Sequence, residues 1–286
     1  MTILAFERSR PDDLLPRYLQ HLRRRQLAKA TLRVYGATLR SYTKALDALT
    51  VTTEDIEQWL DTRNLNIRCR QGPGRSRRCY IAAIAGFHRW LVEDDARADD
   101  PTIKLVRPKV RQRQPRPIAD DDLKTALAQA SPRMRLWLCL AAFAGLRCFE
   151  IAGLAMGDIE MDPPTLRLRE TKGGKPRSIP IAPVVLVALE AVELPTSGPA
   201  FPGPSGRPLT AKYVSAEINT YLRSRGIKAT AHQLRHSFAT EIYAGTRDLM
   251  LVRELLGHSD ISTTSLYIAL VPSPAAVEAV RGLGRA

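Results

Sequence analysis

The sequence has little that would place the chain in a membrane or crosslink it through disulfides. The longest apolar run, at positions 136–146, is about half of the roughly 20 residues that a membrane-spanning helix needs. The N-terminal apolar stretch stops at Glu7 and Arg8, which makes it too short for the core of a signal peptide. The four cysteines show neither the C-x-x-C spacing of a zinc site nor a disulfide-rich pattern. We therefore expect no membrane segment, reduced thiols and residence in the cytoplasm.

Acidic side chains are also scarce relative to basic ones. The chain has 43 Lys and Arg against 29 Asp and Glu, which gives a formal net charge of +14. Such a field favours polyanionic partners, with nucleic acid ahead of an anionic membrane. No carboxylate cluster typical of a metal-dependent nuclease is evident, because Asp120, Asp121 and Asp122 are better explained as the start of a helix. DNA or RNA is the leading partner.

The length of 286 residues is enough for two domains, each with its own core. Apolar residues recur at intervals of three and four between Leu32 and Leu49, which predicts one helix of a bundle. Similar patterns predict helices near 14–22, 56–60 and 81–91. We expect residues 1–105 to form a small helical domain.

Two arginine-rich segments are candidates for contact with DNA phosphates. Residues 64–78 surround Gly72-Pro73-Gly74 and are predicted to form a loop, whereas residues 106–117 read VRPKVRQRQPRP and are predicted to form a basic linker. A merely solvated connection is the alternative for the linker. The candidate DNA-contacting residues are Arg68, Arg70, Arg75, Arg77, Arg78, Arg107, Lys109, Arg111 and Arg113.

Residues 118–286 are predicted to form a second domain with a β-hairpin among its helices. Residues 165–170 and 177–181 alternate between apolar and polar positions and flank a glycine turn that carries Lys172 and Lys175. Lys175 and Arg177 are further candidates for DNA contact. The expected fold is mainly α with a small antiparallel β-sheet. Helices are predicted at 136–144, 213–226, 233–244, 249–256 and 275–282.

Two arginines and a histidine could bind one phosphodiester. His232 and Arg235 are three residues apart on a predicted helix, so both side chains can reach the same patch. Arg147 follows an apolar helix and a glycine, in a half-buried setting that calls for an anionic partner such as Glu150. Paired guanidiniums on the non-bridging oxygens would stabilise the charge of a pentacoordinate state. The alternatives are an internal Arg147–Glu150 ion pair and a surface position for His232 and Arg235.

Three further residues could complete this chemistry. Tyr267 is the candidate nucleophile, with His232 as its base because a phenol pKa lies near 10. Lys172 could protonate the departing 5′ oxygen, and His258 could donate to the phosphate oxygens. The alternatives are a core tyrosine, a solvated turn lysine and a helix-capping histidine.

Taken together, the segments GLRCFEI, TKGGKPRSIPI, HQLRHSFAT and LLGHSDISTTSLYI resemble the motifs of the tyrosine recombinase/integrase family. The resemblance implies site-specific DNA recombination through a 3′-phosphotyrosyl intermediate, with neither cofactor nor metal. It implies that Glu150 supports the first arginine. The implied catalytic residues are Arg147, Lys172, His232, Arg235, His258 and Tyr267.

The same resemblance implies an architecture. Residues 1–105 would bind the core site, residues 118–286 would catalyse, and the two domains would form a C-shaped clamp on double-stranded DNA. The helical bundle begins near residue 10, which suggests a short phage-type or Xer-like integrase without an arm-binding domain. The C-terminal helix would dock into a neighbouring subunit of a homo-tetramer on two synapsed sites, or else pack on its own domain. A directionality factor is a possible additional partner.

Four other functions stay open at this point. A Xer-like resolvase of chromosome dimers would use the same active site as a phage or mobile-element integrase. A non-cutting DNA-binding protein would keep the fold without the chemistry. A type IB topoisomerase would share the chemistry without synapsis. A metal-dependent nuclease would lose cleavage in EDTA.

Overall fold

A computed structural model of the chain describes residues 11–63, 75–108, 116–169 and 176–257. The chain divides into two compact units, Met1–Gln112 and Arg113–Ala286, and the division falls within the basic segment 106–117. Each unit buries a hydrophobic cluster of its own residues. Within the described ranges, none of the helices is both long enough and apolar enough to cross a membrane.

The first unit contains four α-helices within the described residues. They are α1 (Pro11–Arg24), α2 (Lys29–Thr43), α3 (Thr53–Thr62) and α4 (Arg75–Glu93). Tyr42 and His88 lie fully buried at its centre, where the Tyr42 hydroxyl and His88 Nε2 are 2.7 Å apart. The hydroxyl of Thr52 accepts from the backbone N–H of Asp55 and caps α3. The predicted helical domain is therefore built on a core that includes a buried hydrogen bond.

Two boundaries in the first unit differ from the sequence prediction. Helix α2 ends at Thr43 rather than near Leu49, and in the turn that follows the carboxylate of Asp47 accepts from the backbone N–H of Leu49 at 3.0 Å. Helix α4 begins at Arg75, inside the segment predicted to be a loop. Arg77 and Arg78 therefore lie near the start of the helix whose later residues pack in the core.

The second unit holds the small sheet and most of the helices. Helix α6 is buried from Leu136 to Ala142, whereas its first turn is mostly exposed, and this buried stretch explains the long apolar run there. It packs against five other helices of the unit. The elements in order are α5 (Asp120–Ala128), α6 (Pro132–Phe143), α7 (Cys148–Gly153), a 3-10 turn (Met156–Asp158), β1 (Ile159–Met161), β2 (Pro164–Leu168), β3 (Arg177–Pro180), α8 (Pro183–Glu190), α9 (Ala211–Ser224), α10 (Ala231–Thr246) and α11 (Leu249–Leu256).

The sheet is antiparallel in the order β1-β2-β3. Leu166 pairs with Ile159 on one side and with Ile179 on the other, so the middle strand points its leucines into the core. The hairpin of β2 and β3 agrees with the alternating pattern, and the fold class is confirmed as mainly α with a small antiparallel sheet. Strand β1 and helix α8 were not predicted.

Candidate active site

A glycine directs Arg147 to the start of α7. Gly145 follows α6 with φ +63°, a conformation that favours glycine, and a Cβ at this position would overlap the ring of Phe238. The backbone N–H of Leu146 donates to Leu140 at 3.0 Å and closes the turn. Arg147 is then the N-cap residue of α7, with its side chain 22% exposed.

Glu150, one turn into α7, is the anion predicted for Arg147. Its carboxylate accepts from the backbone N–H of Arg147 at 2.7 Å and from Nη1 of Arg147 at 3.1 Å. The Glu150 side chain is only 1% exposed. The contact fixes the helix start and the guanidinium together.

Arg235 reaches the same carboxylate from α10. Its Nη1 lies 3.7 Å from Oε2 of Glu150 and donates to the carbonyl of Gly145, while its Nη2 donates to the carbonyl of Leu256 at 2.7 Å. The Arg235 side chain is 3% exposed. The structure thus brings Arg147 and Arg235 to one buried carboxylate.

Arg177 is a third arginine at this carboxylate. Its Nη1 and Nη2 donate to the two oxygens of Glu150 at 2.8 and 3.0 Å, and its Nε donates to the carbonyl of Leu255 at 2.8 Å. With a side chain 4% exposed, Arg177 does not fit the expectation that it contacts DNA. The alternation of β3 places it on the inward face with Ile179, a signal that the sequence contained.

The charges around Glu150 leave the site positive. Burial alone would raise the pKa of Glu150, but the hydrogen bonds and charge of Arg177, with help from Arg147 and Arg235, hold that pKa below its usual value. The carboxylate is therefore ionised at neutral pH. Three guanidiniums around one carboxylate make a local excess of positive charge that suits a phosphodiester.

His232 lies one turn before Arg235 on α10, and its ring centroid is 4.3 Å from that of His236. Loss of solvation and the positive charges of Arg235 and Arg147 lower the pKa of His232. Burial, His232 and Arg235 lower the pKa of His236 to about 4. Both imidazoles are therefore neutral at neutral pH, and a neutral imidazole can accept a proton.

Several predicted site residues lie outside the described residues. Among those predicted to be catalytic, they are Lys172, His258 and Tyr267. Helix α11 ends at Leu256 with Gly257 in the left-handed region at φ 62°, immediately before His258. The candidate DNA-contacting residues outside the described ranges are Arg68, Arg70, Lys109, Arg111, Arg113 and Lys175.

The remaining DNA-contacting candidates have differing environments. Arg75 is the first residue of α4. Arg77 pairs with Asp61, whereas Arg78 and Arg107 are exposed. In the part of the chain that the structure describes, no group of three or more His, Cys, Asp or Glu side chains could hold a metal ion.

Comparison with known proteins identifies this arrangement. The sequence model of the phage integrase family matches residues 118–273, and that of the phage integrase N-terminal SAM-like domain matches residues 15–95. Tyrosine recombinase XerC of Azotobacter vinelandii is 31% identical over 277 residues, which cover 90% of this chain and 91% of the relative. Tyrosine recombinase XerD of Halalkalibacterium halodurans is 29% identical over 267 residues, 85% of this chain and 88% of the relative.

Solved structures share the fold. A lambda integrase (75–356) dimer bound to a COC′ core site gives a TM-score of 0.71 at 20% identity, covering 90% of this chain and 94% of that chain. The Tn1549 transposon integrase in complex with transposon right end DNA gives 0.71 at 15% identity, covering 96% and 99%. The fold and the sequence relatives together define a site-specific recombinase that cleaves and rejoins DNA. The chain belongs to the phage integrase family of tyrosine recombinases.

Proposed function

We propose that Tyr267 attacks a DNA phosphodiester held by Arg147 and Arg235, and that the product is a 3′-phosphotyrosyl intermediate. The observation that carries the phosphate-binding role is the convergence of the two guanidiniums on Glu150, with His232 one turn before Arg235, whereas Tyr267 is assigned from the sequence motif. Paired arginines bind the non-bridging oxygens of a phosphate and interact more strongly as charge builds in the transition state. Glu150 pairs with both arginines and holds their guanidiniums in place.

The proton transfers follow from the side chains assigned to the site. Neutral His232 takes the phenolic proton of Tyr267 as the Tyr267 oxygen bonds to phosphorus. The bond from phosphorus to the 5′ oxygen breaks, and Lys172 protonates that oxygen, while His258 donates to a non-bridging oxygen. In the reverse step a 5′ hydroxyl attacks the phosphotyrosine and Tyr267 leaves with its proton restored. The phosphotyrosyl bond stores the energy for rejoining, so neither cofactor nor metal enters the scheme.

The exposure of the two arginines gives an order of contact. Arg147 is 22% exposed and Arg235 is 3% exposed, so a phosphate meets Arg147 first. Arg235 lies deeper, where its guanidinium donates to the carbonyls of Gly145 and Leu256.

The DNA-binding role belongs, in this proposal, to residues 1–105, the basic linker 106–117 and the catalytic domain 118–286, which grip double-stranded DNA at a specific core site. Two exposed arginines, Arg78 and Arg107, are the described candidates for phosphate contact. A lambda integrase tetramer bound to a Holliday junction shares the fold at a TM-score of 0.71 and 20% identity, covering 91% of this chain and 80% of that chain. We infer a homo-tetramer on two synapsed sites, with the C-terminal helix exchanged between subunits and the protein in the bacterial cytoplasm.

The biological task that we propose is integration and excision of a phage or mobile element, with a directionality factor as a possible partner. Resolution of chromosome dimers is the second candidate, and the likeness to XerC and XerD relatives over most of the chain favours it. A recombination assay with two sites separates these tasks. Recombination between a pair of element-end sites supports the first, and recombination only between chromosomal resolution sites supports the second.

Covalent trapping on nicked DNA tests the chemistry. In EDTA, the native protein should form an SDS-resistant adduct that Tyr267→Phe does not form. Tyr213→Phe is the matched control, because Tyr213 is an exposed tyrosine of the same unit at 47% exposure. An adduct that persists in Tyr267→Phe would contradict the nucleophile assignment. Specific DNA retention without any adduct would indicate a non-cutting binding protein, and relaxation without recombination a topoisomerase.

A further inference from the structure

We propose that Arg177 is a positioning residue for DNA cleavage, which neutralises Glu150 so that this carboxylate orients Arg147 and Arg235 without consuming their charge. The inference rests on the proposed phosphate-binding role of those two arginines. It replaces the expected DNA contact of Arg177 with an internal electrostatic role.

The contacts of Glu150 are unequal. Arg177 donates to both carboxylate oxygens, at 2.8 and 3.0 Å, in the paired geometry that a guanidinium and a carboxylate favour. The guanidinium of Arg147 donates through Nη1 at 3.1 Å, and Nη1 of Arg235 lies 3.7 Å away. The strongest ion pair of the carboxylate is therefore made with Arg177.

The degree of burial matches this division of roles. The side chains of Arg177 and Glu150 are 4% and 1% exposed, so their pair is an internal one. The side chain of Arg147 is 22% exposed. This exposure gives a phosphate access to the guanidinium of Arg147, whose Nη1 donates to Glu150.

Loss of Arg177 would change what the other two arginines face. A buried carboxylate without its main counter-charge is strongly unfavourable, so Glu150 would draw Arg147 and Arg235 into closer pairing. The scissile phosphate would then compete with Glu150 for the same two guanidiniums. With Arg177 present, the Arg177–Glu150 pair is neutral and the remaining positive charge acts on the phosphate.

Arg177 also joins three parts of the site. It lies on β3, a few residues after Lys172 in the sequence, and its Nε donates to the carbonyl of Leu255 near the end of α11. A Cβ on Gly257 would lie 2.9 Å from Nη1 of Arg177, so the chain passes close to this guanidinium immediately before His258. One side chain thus connects α7, β3 and the end of α11.

If the Arg177–Glu150 ion pair served only the stability of the fold, its removal would affect cleavage in a different way. Removing a structural pair lowers stability and slows cleavage of every substrate by the same factor. Removing a neutralising arginine instead leaves Arg147 and Arg235 to balance the charge of Glu150, so a second change that removes that charge should relieve the defect. A substrate that depends less on the arginines should also be less affected.

The experiment measures single-turnover cleavage of nicked DNA at saturating protein by Arg177→Gln, Arg177→Lys, Glu150→Gln and the double variant. We expect Arg177→Gln to cleave about 10- to 100-fold more slowly, with a DNA dissociation constant within about threefold of the native value. The double variant should cleave at least about fivefold faster than Arg177→Gln, and Arg177→Lys should retain an intermediate rate. Arg167→Gln is the matched control, since Arg167 pairs with Glu160 at 2.8 Å on the neighbouring strand and is 58% exposed.

A second comparison keeps the test valid if the double variant does not fold. The scissile phosphate is replaced by a methylphosphonate, which lacks one charged oxygen and needs less help from arginine. The loss caused by Arg177→Gln should be at least about fivefold smaller on this substrate. Relief in either comparison supports the role of Arg177. Native cleavage by Arg177→Gln, or no relief in both comparisons, would overturn it.

Failure of this inference is distinguishable from failure of the proposed function. If Tyr267→Phe still forms the adduct, or if Arg147→Gln and Arg235→Gln cleave at the native rate, the proposed site itself is wrong. If those controls behave as proposed while Arg177→Gln shows no effect or no relief, only the role of Arg177 is wrong.

Discussion

Arg147 is tied to Glu150 twice, through its backbone N–H at 2.7 Å and through Nη1 at 3.1 Å. Because one carboxylate sets both the helix start and the guanidinium, the direction of the Arg147 side chain is fixed before any substrate binds. A preorganised donor is worth more in a transition state than one that must be ordered during the reaction.

Replacing Arg147 with Ala should therefore slow cleavage far more than it weakens DNA binding. We expect a loss of about 100- to 1,000-fold in the single-turnover rate, and a smaller loss for Arg147→Lys, which keeps the charge but not the planar donors. Cleavage of nicked DNA and a gel shift measure the two quantities. Arg207→Ala, at an exposed position of the same unit, is the control. Equal losses of rate and of binding would contradict the assignment.

The pH dependence of cleavage should report His232. Its folded pKa is below the usual value of about 6.5, so the base is already deprotonated at neutral pH and becomes protonated as the pH falls through that lowered value. The rate should be flat around neutral pH and fall on the acid side, at a pH below about 6.5. His232→Gln should remove this acid limb and lower the plateau. A native rate that falls with a midpoint above about 6.5 would contradict the prediction.

The Tyr42–His88 hydrogen bond should make the first unit sensitive to acid. Burial and the charge of Arg97 lower the pKa of His88 to about 4, whereas the unfolded chain takes up this proton near its ordinary value of about 6.5. Below that value the unfolded state binds more protons, so stability should fall as the pH drops toward about 4. Calorimetry of the full chain between these pH values measures the effect. His88→Phe should flatten the dependence, and an unchanged slope in this variant would contradict it.

Removal of the Tyr42 hydroxyl should also destabilise the first unit at neutral pH. His88 would lose its partner 2.7 Å away inside the core, at a cost of about 1–3 kcal/mol. Tyr35→Phe is the matched control, because it removes a hydroxyl from a half-buried tyrosine of the same helix. A shift of the first unit's melting transition in Tyr42→Phe but not in Tyr35→Phe is the expected result. Equal melting of the two variants would indicate that the bond contributes nothing measurable.

Gly145→Ala should disturb both the fold and the chemistry. The residue has φ +63°, and a methyl group there would collide with the ring of Phe238, so we expect a loss of about 1–3 kcal/mol and displacement of Arg147. Gly157→Ala is the control, since its Cβ would meet nothing within 4 Å. Thermal melting and single-turnover cleavage measure the effect. A Gly145→Ala variant with native stability would show that the turn tolerates a side chain.

The sequence was a good guide wherever a local pattern decided the structure. Helical spacing predicted most of the helices, and the alternation on either side of the glycine turn predicted the pairing of β2 with β3. Helix α8 was missed because three valines at positions 184, 185 and 187 resemble a strand, whereas Pro183 in the first turn and packing on α6 make the segment helical. Strand β1 was missed because it has only three residues and exists through its pairing with β2.

In the candidate site too, contacts between residues close in sequence were predictable, and contacts between distant residues were not. The contact between Arg147 and Glu150 was foreseeable because they are three residues apart at a helix start. The contacts of Arg235 with Gly145 and Leu256 span 90 and 21 residues, and no local pattern encodes them. The positive charge of Arg177 predicts contact with DNA. The alternation of inward and outward residues along β3 instead places Arg177 on the same buried face as Ile179.

The two units bury separate clusters of apolar residues, so the packing that supports the arginine site does not draw on the packing of the helical bundle. Under the proposed function, in which the bundle binds the core site, substitutions in the bundle leave the hydrophobic cluster of the catalytic unit unchanged. On that proposal, exchange of bundles between relatives is a route to recombinases that carry out the same reaction at new target sequences.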